Sequence, residues 1–173
     1  RCYNKFLVWW QGSVKVYESE STMTFKLSRR SLDNLEGIDE RLATVARTAI
    51  ALTRTDFGVI QGMRTEAEQK VLVSRGASKT MKSKHLIGKA IDCMAFIDGR
   101  ASWELNLYDD IADAIKEAAS VVGCPIKWGA AWSVGDIRSW DGTMEDAMND
   151  YVDLRRSQGK RPFIDGPHFE LMD

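Results

Sequence analysis

The sequence predicts an α+β domain, a small and mostly antiparallel sheet with helices packed on it and a site set in a groove. Three observations lead there. Two stretches carry an apolar stripe at helical spacing: Ile38, Leu42, Val45, Ala49 and Leu52, then Leu107, Ile111, Ala114, Ile115, Ala118 and Val122. Between and after them lie short runs with strand character, at 56–62, 90–95 and 126–129. A chain of 173 residues, 44% hydrophobic and 28% charged, suits a single globular domain with a substantial core.

Composition narrows the classes of partner. A net charge of −1 offers no general attraction to nucleic acid or to an anionic membrane. The cysteines, Cys2, Cys93 and Cys124, are odd in number and far apart, as expected of free thiols in a reducing compartment. No Cys-x-x-Cys pair occurs, which disfavours a thiolate zinc site. There is no internal repeat, low-complexity run or second domain.

Residues 1–24 read as an N-terminal extension. Phe6-Leu7-Val8-Trp9-Trp10 is too short for a membrane span or the core of a signal peptide, and a strand or hairpin is expected around Ser13 to Tyr17. Packing of the Trp9–Trp10 pair on the domain is favoured over contact with a membrane. Ser28 to Gly37 reads as a turn and short helix, followed by the first long amphipathic helix. Asp56 to Gly62 alternates Phe57, Val59 and Gln61 on one face, as a strand does. Met63-Arg64-Thr65 then leads into a helix over about 66–74, with Thr65 as its N-cap. Arg75 to Lys84 is a loop carrying glycine and lysine. Beyond it, Asp98-Gly99 marks a turn and Gly123 ends the second long helix. Thr143 to Gln158 is predicted helical, with Met144, Ala147, Tyr151 and Leu154 on one side and a capping box from Thr143 to Asp146.

The candidate site is organised around Ser83-Lys84-His85-Leu86-Ile87-Gly88-Lys89-Ala90-Ile91-Asp92. It holds one of only two histidines in the chain; the other, His168, sits in Asp165-Gly166-Pro167-His168-Phe169-Glu170. Imidazole and carboxylate are the usual ligands of a catalytic zinc, which takes three protein groups and keeps a fourth position open. His85, Asp92 and His168 supply such a set. Gly88 allows the chain to turn after His85. Ala90 to Ala95 is apolar except for Asp92 and reads as a buried strand, with Asp92 facing the same side as Ala90 and Met94. An unpaired carboxylate there is costly, and a cation offsets the cost. A core histidine with a salt-bridged aspartate fits the same spacing equally well.

In order, Ser-x-His-x-x-Gly-x-Ala-x-Asp at 83–92 and Asp-x-x-His at 165–168 resemble the peptidoglycan peptidases of the VanY / D-alanyl-D-alanine carboxypeptidase clan. Within that clan the chain looks most like the phage L-alanyl-D-glutamate peptidase endolysins. The resemblance runs from about Phe25 to Asp173 and takes in Phe25-Lys26-Leu27-Ser28-Arg29-Arg30-Ser31-Leu32, Gln61-Gly62-Met63-Arg64-Thr65 and Trp128-Gly129. It implies a hedgehog/DD-peptidase-like fold over 25–173, one Zn2+ per chain on His85, Asp92 and His168, and hydrolysis of the L-Ala–D-Glu bond of the peptidoglycan stem peptide. The alternatives are a D-alanyl-D-alanine carboxypeptidase or dipeptidase, and a non-catalytic zinc-containing binding module of the same fold. The enzyme so implied is a monomer, made in the cytoplasm of a bacterial host and released to the wall by another factor, since no export signal is visible.

The resemblance also assigns roles. The family's acid matching Asp165, three residues before His168, is the general base. Glu170 is the rival base, or a partner that orients a ligand imidazole. Arg64 follows a strand and carries a fork of donors suited to a carboxylate or a developing oxyanion. By itself it would be read as a surface salt bridge, but the family's matching arginine contacts substrate. Ser83 can bind substrate or simply cap its turn. Gln61 and Gln69 are weaker candidates, more often structural. Trp128, Trp132 and Trp140 can line a groove or anchor a loop, with Trp128 expected nearest the site. Two features depart from the pattern: Trp128-Gly129-Ala130-Ala131-Trp132 lacks the Gly-Gly-Asp common in short endolysins of this group, and a helical piece between Trp132 and Asp165 looks inserted.

Overall fold

A computed structural model describes residues 24–172 in full and, of the first 23, the backbone of two strands. These strands, β1 (Lys5–Trp10) and β2 (Ser13–Glu18), pair antiparallel, with Phe6 opposite Tyr17. They cover the stretch where a strand or hairpin is expected; the side chains of Trp9 and Trp10, and Cys2, lie outside the described residues.

Helix α1 (Arg29–Asn34) starts at Ser28, whose Oγ accepts from Ser31 N at 3.2 Å. Helix α2 (Glu40–Leu52) is capped by Asp39, and strand β3 (Asp56–Gln61) follows. Helix α3 (Glu66–Ser74) carries a full capping box: Thr65 Oγ1 accepts from Glu68 N, and Glu68 Oε2 accepts from Thr65 N. A cap of this kind contributes about 1 kcal/mol. A 3-10 turn (Lys84–Ile87) leads into β4 (Ala90–Ile97), which folds back on β5 (Arg100–Ser102). Asp98 and Gly99 join them with φ of 49° and 75°, the twist that a two-residue hairpin loop requires. Helix α4 (Leu105–Val122) stops at the left-handed Gly123, then come β6 (Ile126–Trp128), α5 (Met144–Ser157) and β7 (His168–Leu171).

The main sheet runs in the order β3-β4-β7-β6 with β5 on β4, and every pairing is antiparallel. One face carries Phe57, Val59, Ile91, Cys93, Ala95, Ile126, Trp128, Phe169 and Leu171, all buried in a common core with the apolar stripes of α2 and α4. Leu52 and Leu154, expected on such stripes, lie at the ends of their helices and stay 42% and 43% exposed. Helix α5 is tied to α4 by Asp113 Oδ1, which accepts from Met144 N at 2.8 Å, and by Lys116 Nζ, which donates to Gly142 O at 2.6 Å. Cys93 and Cys124 are buried free thiols.

Candidate active site

The sheet face opposite the helices places three residues in one row across three strands. Gln61 pairs with Asp92, and Asp92 pairs with His168; one step along, Ala90 opposes Glu170. Simple alternation would put Gln61 on the core face with Phe57 and Val59. A register shift between Val59 and Gln61 inserts one residue and turns Gln61 to the side of Asp92 instead.

His85 reaches this row from the 3-10 turn. Its Nδ1 lies 2.7 Å from Gly62 O, which fixes the proton on that nitrogen and leaves the Nε2 lone pair aimed inward. Gly62 sits so close to α1 that a Cβ there would run into the Asn34 carbonyl. The turn is closed by Gly88 at φ 68°, and Ser83 Oγ caps it by accepting from His85 N at 3.4 Å. His168 mirrors this arrangement. Its Nε2 donates to Glu170 Oε2 at 3.2 Å, so Nδ1 faces Asp92 Oδ1 at 3.0 Å. His85 Nε2 lies 3.2 Å from the same carboxylate oxygen and 3.3 Å from His168 Nδ1.

Two imidazole lone pairs and a carboxylate oxygen therefore converge on one point. Their ligand atoms lie within 4.8 Å of one another, and among the described residues this is the one group of histidine, cysteine and acidic side chains able to hold a metal ion. Lone pairs at these separations repel unless a proton or a cation lies between them. The donor set, with each outer nitrogen satisfied by a carbonyl or carboxylate, suits zinc. In the metal-free protein a proton takes that place. Burial opposes charge on His168, but hydrogen bonds to Asp92 and Glu170 outweigh it and raise its pKa from 6.5 to about 9. Burial likewise works against ionised Asp92, yet His168 and His85 hold its carboxyl far below the usual range.

Around this cluster lies a cleft of about 410 Å³ whose lining includes Gln61, Arg64, Ser83, Trp103, Trp132 and Asp165. Arg64 is almost wholly buried and doubly held: Nη1 donates to Gln69 Oε1 at 2.8 Å and Nη2 to Asp92 Oδ2 at 3.4 Å. It is therefore no surface salt bridge. Gln69 is fully buried and also donates to Ser78 Oγ and Thr80 O, so one side chain links Arg64 to the 75–84 loop. Asp165 hangs between Gly129 O, which accepts from its N at 3.0 Å, and His168 N, which donates to its carbonyl at 3.1 Å. Burial pushes the Asp165 carboxyl above the ordinary aspartate value and the Asp92 carboxylate adds to the rise, while the neighbouring His168, His85 and Arg64 partly offset it.

The expectation for Trp128 needs correction. It is fully buried on the core face, stacked on Phe169, and its Nε1 donates to Gly166 O at 2.8 Å. It braces the turn between Asp165 and His168 and does not line the cleft. Trp132 does, with its ring 5.9 Å from that of His168 and 6.4 Å from that of Phe163. Core-face alternation between Ile126 and Trp128 was the available signal for this; Trp132 and Gln69 were among the sequence candidates, but nothing local ranked Trp132 ahead of Trp128 or paired Gln69 with Arg64.

An α+β sheet with two histidines and an aspartate converging at the floor of an open cleft is an arrangement able to hold a metal ion where a substrate could reach it, the donor set of the zinc hydrolases. Comparison with known proteins makes the class specific. The chain belongs to the phage L-alanyl-D-glutamate peptidase family, whose model matches residues 23–172. It is similar to the L-alanyl-D-glutamate peptidase of Escherichia phage T5, 32% identical over 154 residues that cover 87% of this chain and 100% of the relative. A second relative, the L-alanyl-D-glutamate peptidase of Listeria phage A118, is 27% identical over 114 residues, 64% of this chain and 40% of that one. Among solved structures, the Serratia marcescens L-Ala D-Glu endopeptidase ChiX superposes with a TM-score of 0.65 at 30% identity, covering 88% of this chain and 93% of that one.

The closeness of Gly129 to the site yields a prediction. A Cβ on Gly129 would press on the Asp165 carbonyl and lie 3.0 Å from His168 Cβ and 3.1 Å from Asp165 Cβ. Gly129→Ala is expected to cost about 1–3 kcal/mol of stability through overpacking and to lower turnover by spreading Asp165 from His168. Melting temperature and activity on cell wall, measured together, check this; unchanged values for both would mean that the turn yields freely.

Proposed function

We propose that this chain is a peptidoglycan endopeptidase that hydrolyses the L-Ala–D-Glu bond of the stem peptide, with one Zn2+ held by His85, Asp92 and His168. The observation that carries the reading is the convergence of three donor groups on one point at the floor of a cleft, in a chain of this family. When bound, such an ion supplies Lewis-acid polarisation of the scissile carbonyl and lowers the pKa of water to roughly 7. The remaining work falls to side chains. Asp165 takes the proton from the attacking water and returns it to the leaving amine. Arg64, already fixed by Gln69 and Asp92, faces negative charge as it grows on the carbonyl oxygen. Glu170 and Gly62 O hold the two imidazoles in the tautomers that keep their inner nitrogens free. The setting is phage lysis of a bacterial wall; no helix among the described residues is long and apolar enough to cross a membrane.

Mass spectrometry of the products released from purified peptidoglycan tests this reading. New D-Glu amino termini that disappear with chelator are expected. Release of terminal D-Ala alone would make the protein a carboxypeptidase, and wall binding without turnover would make it a binding module.

Arg64→Lys separates a charge clamp from a structural contact. Lysine keeps the charge but cannot hold Gln69 and Asp92 while presenting a planar fork. Loss of one such charge-stabilising donor costs about 100- to 1,000-fold in turnover. A lysine variant with near-normal activity on cell wall would remove Arg64 from the catalytic group.

A further inference from the structure

Beside the cleft lies a second hollow whose charge the proposed reaction does not use. This annex, about 670 Å³, is lined by Lys79, Arg156, Arg161, Pro162, Phe163 and Ile164. Lys79 and Phe163 line both spaces, so the two adjoin. Lys79 comes from the 75–84 loop and the rest from the segment that ends α5 and returns to Asp165, the same piece that reads as an insertion in the sequence. Lys79 Nζ sits 4.6 Å from the centre of the Phe163 ring.

We infer that this annex binds a free carboxylate on the D-Glu-containing half of the stem peptide; the inference rests on the proposed cleavage of L-Ala–D-Glu. Three cations line the hollow and no acidic residue does, in a chain whose net charge is only −1. Among the described residues neither Lys79 nor Arg161 has a carboxylate partner, while Arg156 meets Asp153 at 3.8 Å with both side chains largely exposed. A pair so exposed contributes little and leaves the guanidinium available. The substrate supplies the complement. A glutamyl residue has two carboxyl groups and only one can enter the chain, so the half released from L-Ala carries a free carboxylate by its chemistry. Guanidinium forks suit that group. Phe163, shared by cleft and annex, forms the step between the metal cluster and the cations.

The test uses the intact protein, a synthetic D-glutamyl peptide corresponding to the released half, and the same peptide with its carboxyls amidated. Calorimetry on the wild type is expected to show the free form binding about tenfold tighter than the amide, with the difference shrinking as salt rises. Lys79→Gln, Arg156→Gln and Arg161→Gln together should erase the preference, and Arg161→Gln alone should reduce it by about threefold. Equal binding of free and amidated peptide by the wild type, or a preference that survives the triple variant, overturns the inference. So does a response to polyglycerol phosphate with none to the peptide carboxylate, which would assign the annex to phosphate polymers of the wall. Turnover of a longer L-Ala–D-Glu peptide is followed in parallel. Its failure in the wild type would sink the cleavage reading, while the binding arm would still decide whether the annex selects carboxylates.

Discussion

Asp165→Asn is expected to keep its fold and its metal while losing about 100- to 10,000-fold in turnover on purified peptidoglycan, the usual range for a general base. Asparagine nearly matches aspartate in shape, and Asp165 is not part of the converging triad, so neither packing nor metal content should change. What is lost is proton affinity. The carboxyl lines the cleft, and its burial raises its pKa above that of an ordinary aspartate. The nearby His168, His85 and Arg64 temper that rise. The result is a carboxylate more basic than an exposed one, which a water-activating group needs. Glu170→Gln is the control. Glu170 accepts from His168 Nε2, a role that the glutamine carbonyl can keep, so its loss should cost less and show first as weaker metal binding. Activity in Asp165→Asn, beside a dead but metal-loaded Glu170→Gln, would exchange the two roles. Activity in both variants would remove both acids from the mechanism.

His85→Ala and His168→Ala are each expected to abolish metal binding and, with it, activity. A catalytic zinc site with two protein ligands in place of three has lost much of its affinity. Each change also leaves Asp92 with one imidazole fewer beside its buried carboxylate. Metal analysis of the purified variants provides the check, and full occupancy in both would end the assignment of the triad. The metal-free wild type offers a companion measurement. His168 is raised from 6.5 to about 9 in the folded state, so its contribution to stability is complete below pH 6.5 and fades as pH climbs through about 9. The melting temperature of the chelated protein should fall across that window. Metal uptake below pH 9 should release a proton. A melting temperature that rises there would place the proton on another group.

Local chemistry made much of this protein legible from its sequence. Apolar residues at helical spacing marked α2 and α4, and Thr65 and Thr143 marked the starts of α3 and α5, because helix periodicity and capping are encoded within a few residues. The two histidines and Asp92 were conspicuous because a buried polar group on an apolar strand demands a partner. Side-chain environment was decided elsewhere. Whether Gln61 faces the core or the cleft depends on one extra residue in β3, and alternation alone cannot register a bulge. Trp128 was expected in the groove, but its pairing opposite Phe169 buries it, and Trp132 takes the place beside His168. Arg64 meets Asp92, 28 residues on, and Lys79 joins Arg161 around Phe163, through contacts between segments distant in the chain. Residue types and local period therefore determined the elements and the donor set. Cross-strand register and loop docking, which depend on the whole sheet being assembled, determined what each donor faces.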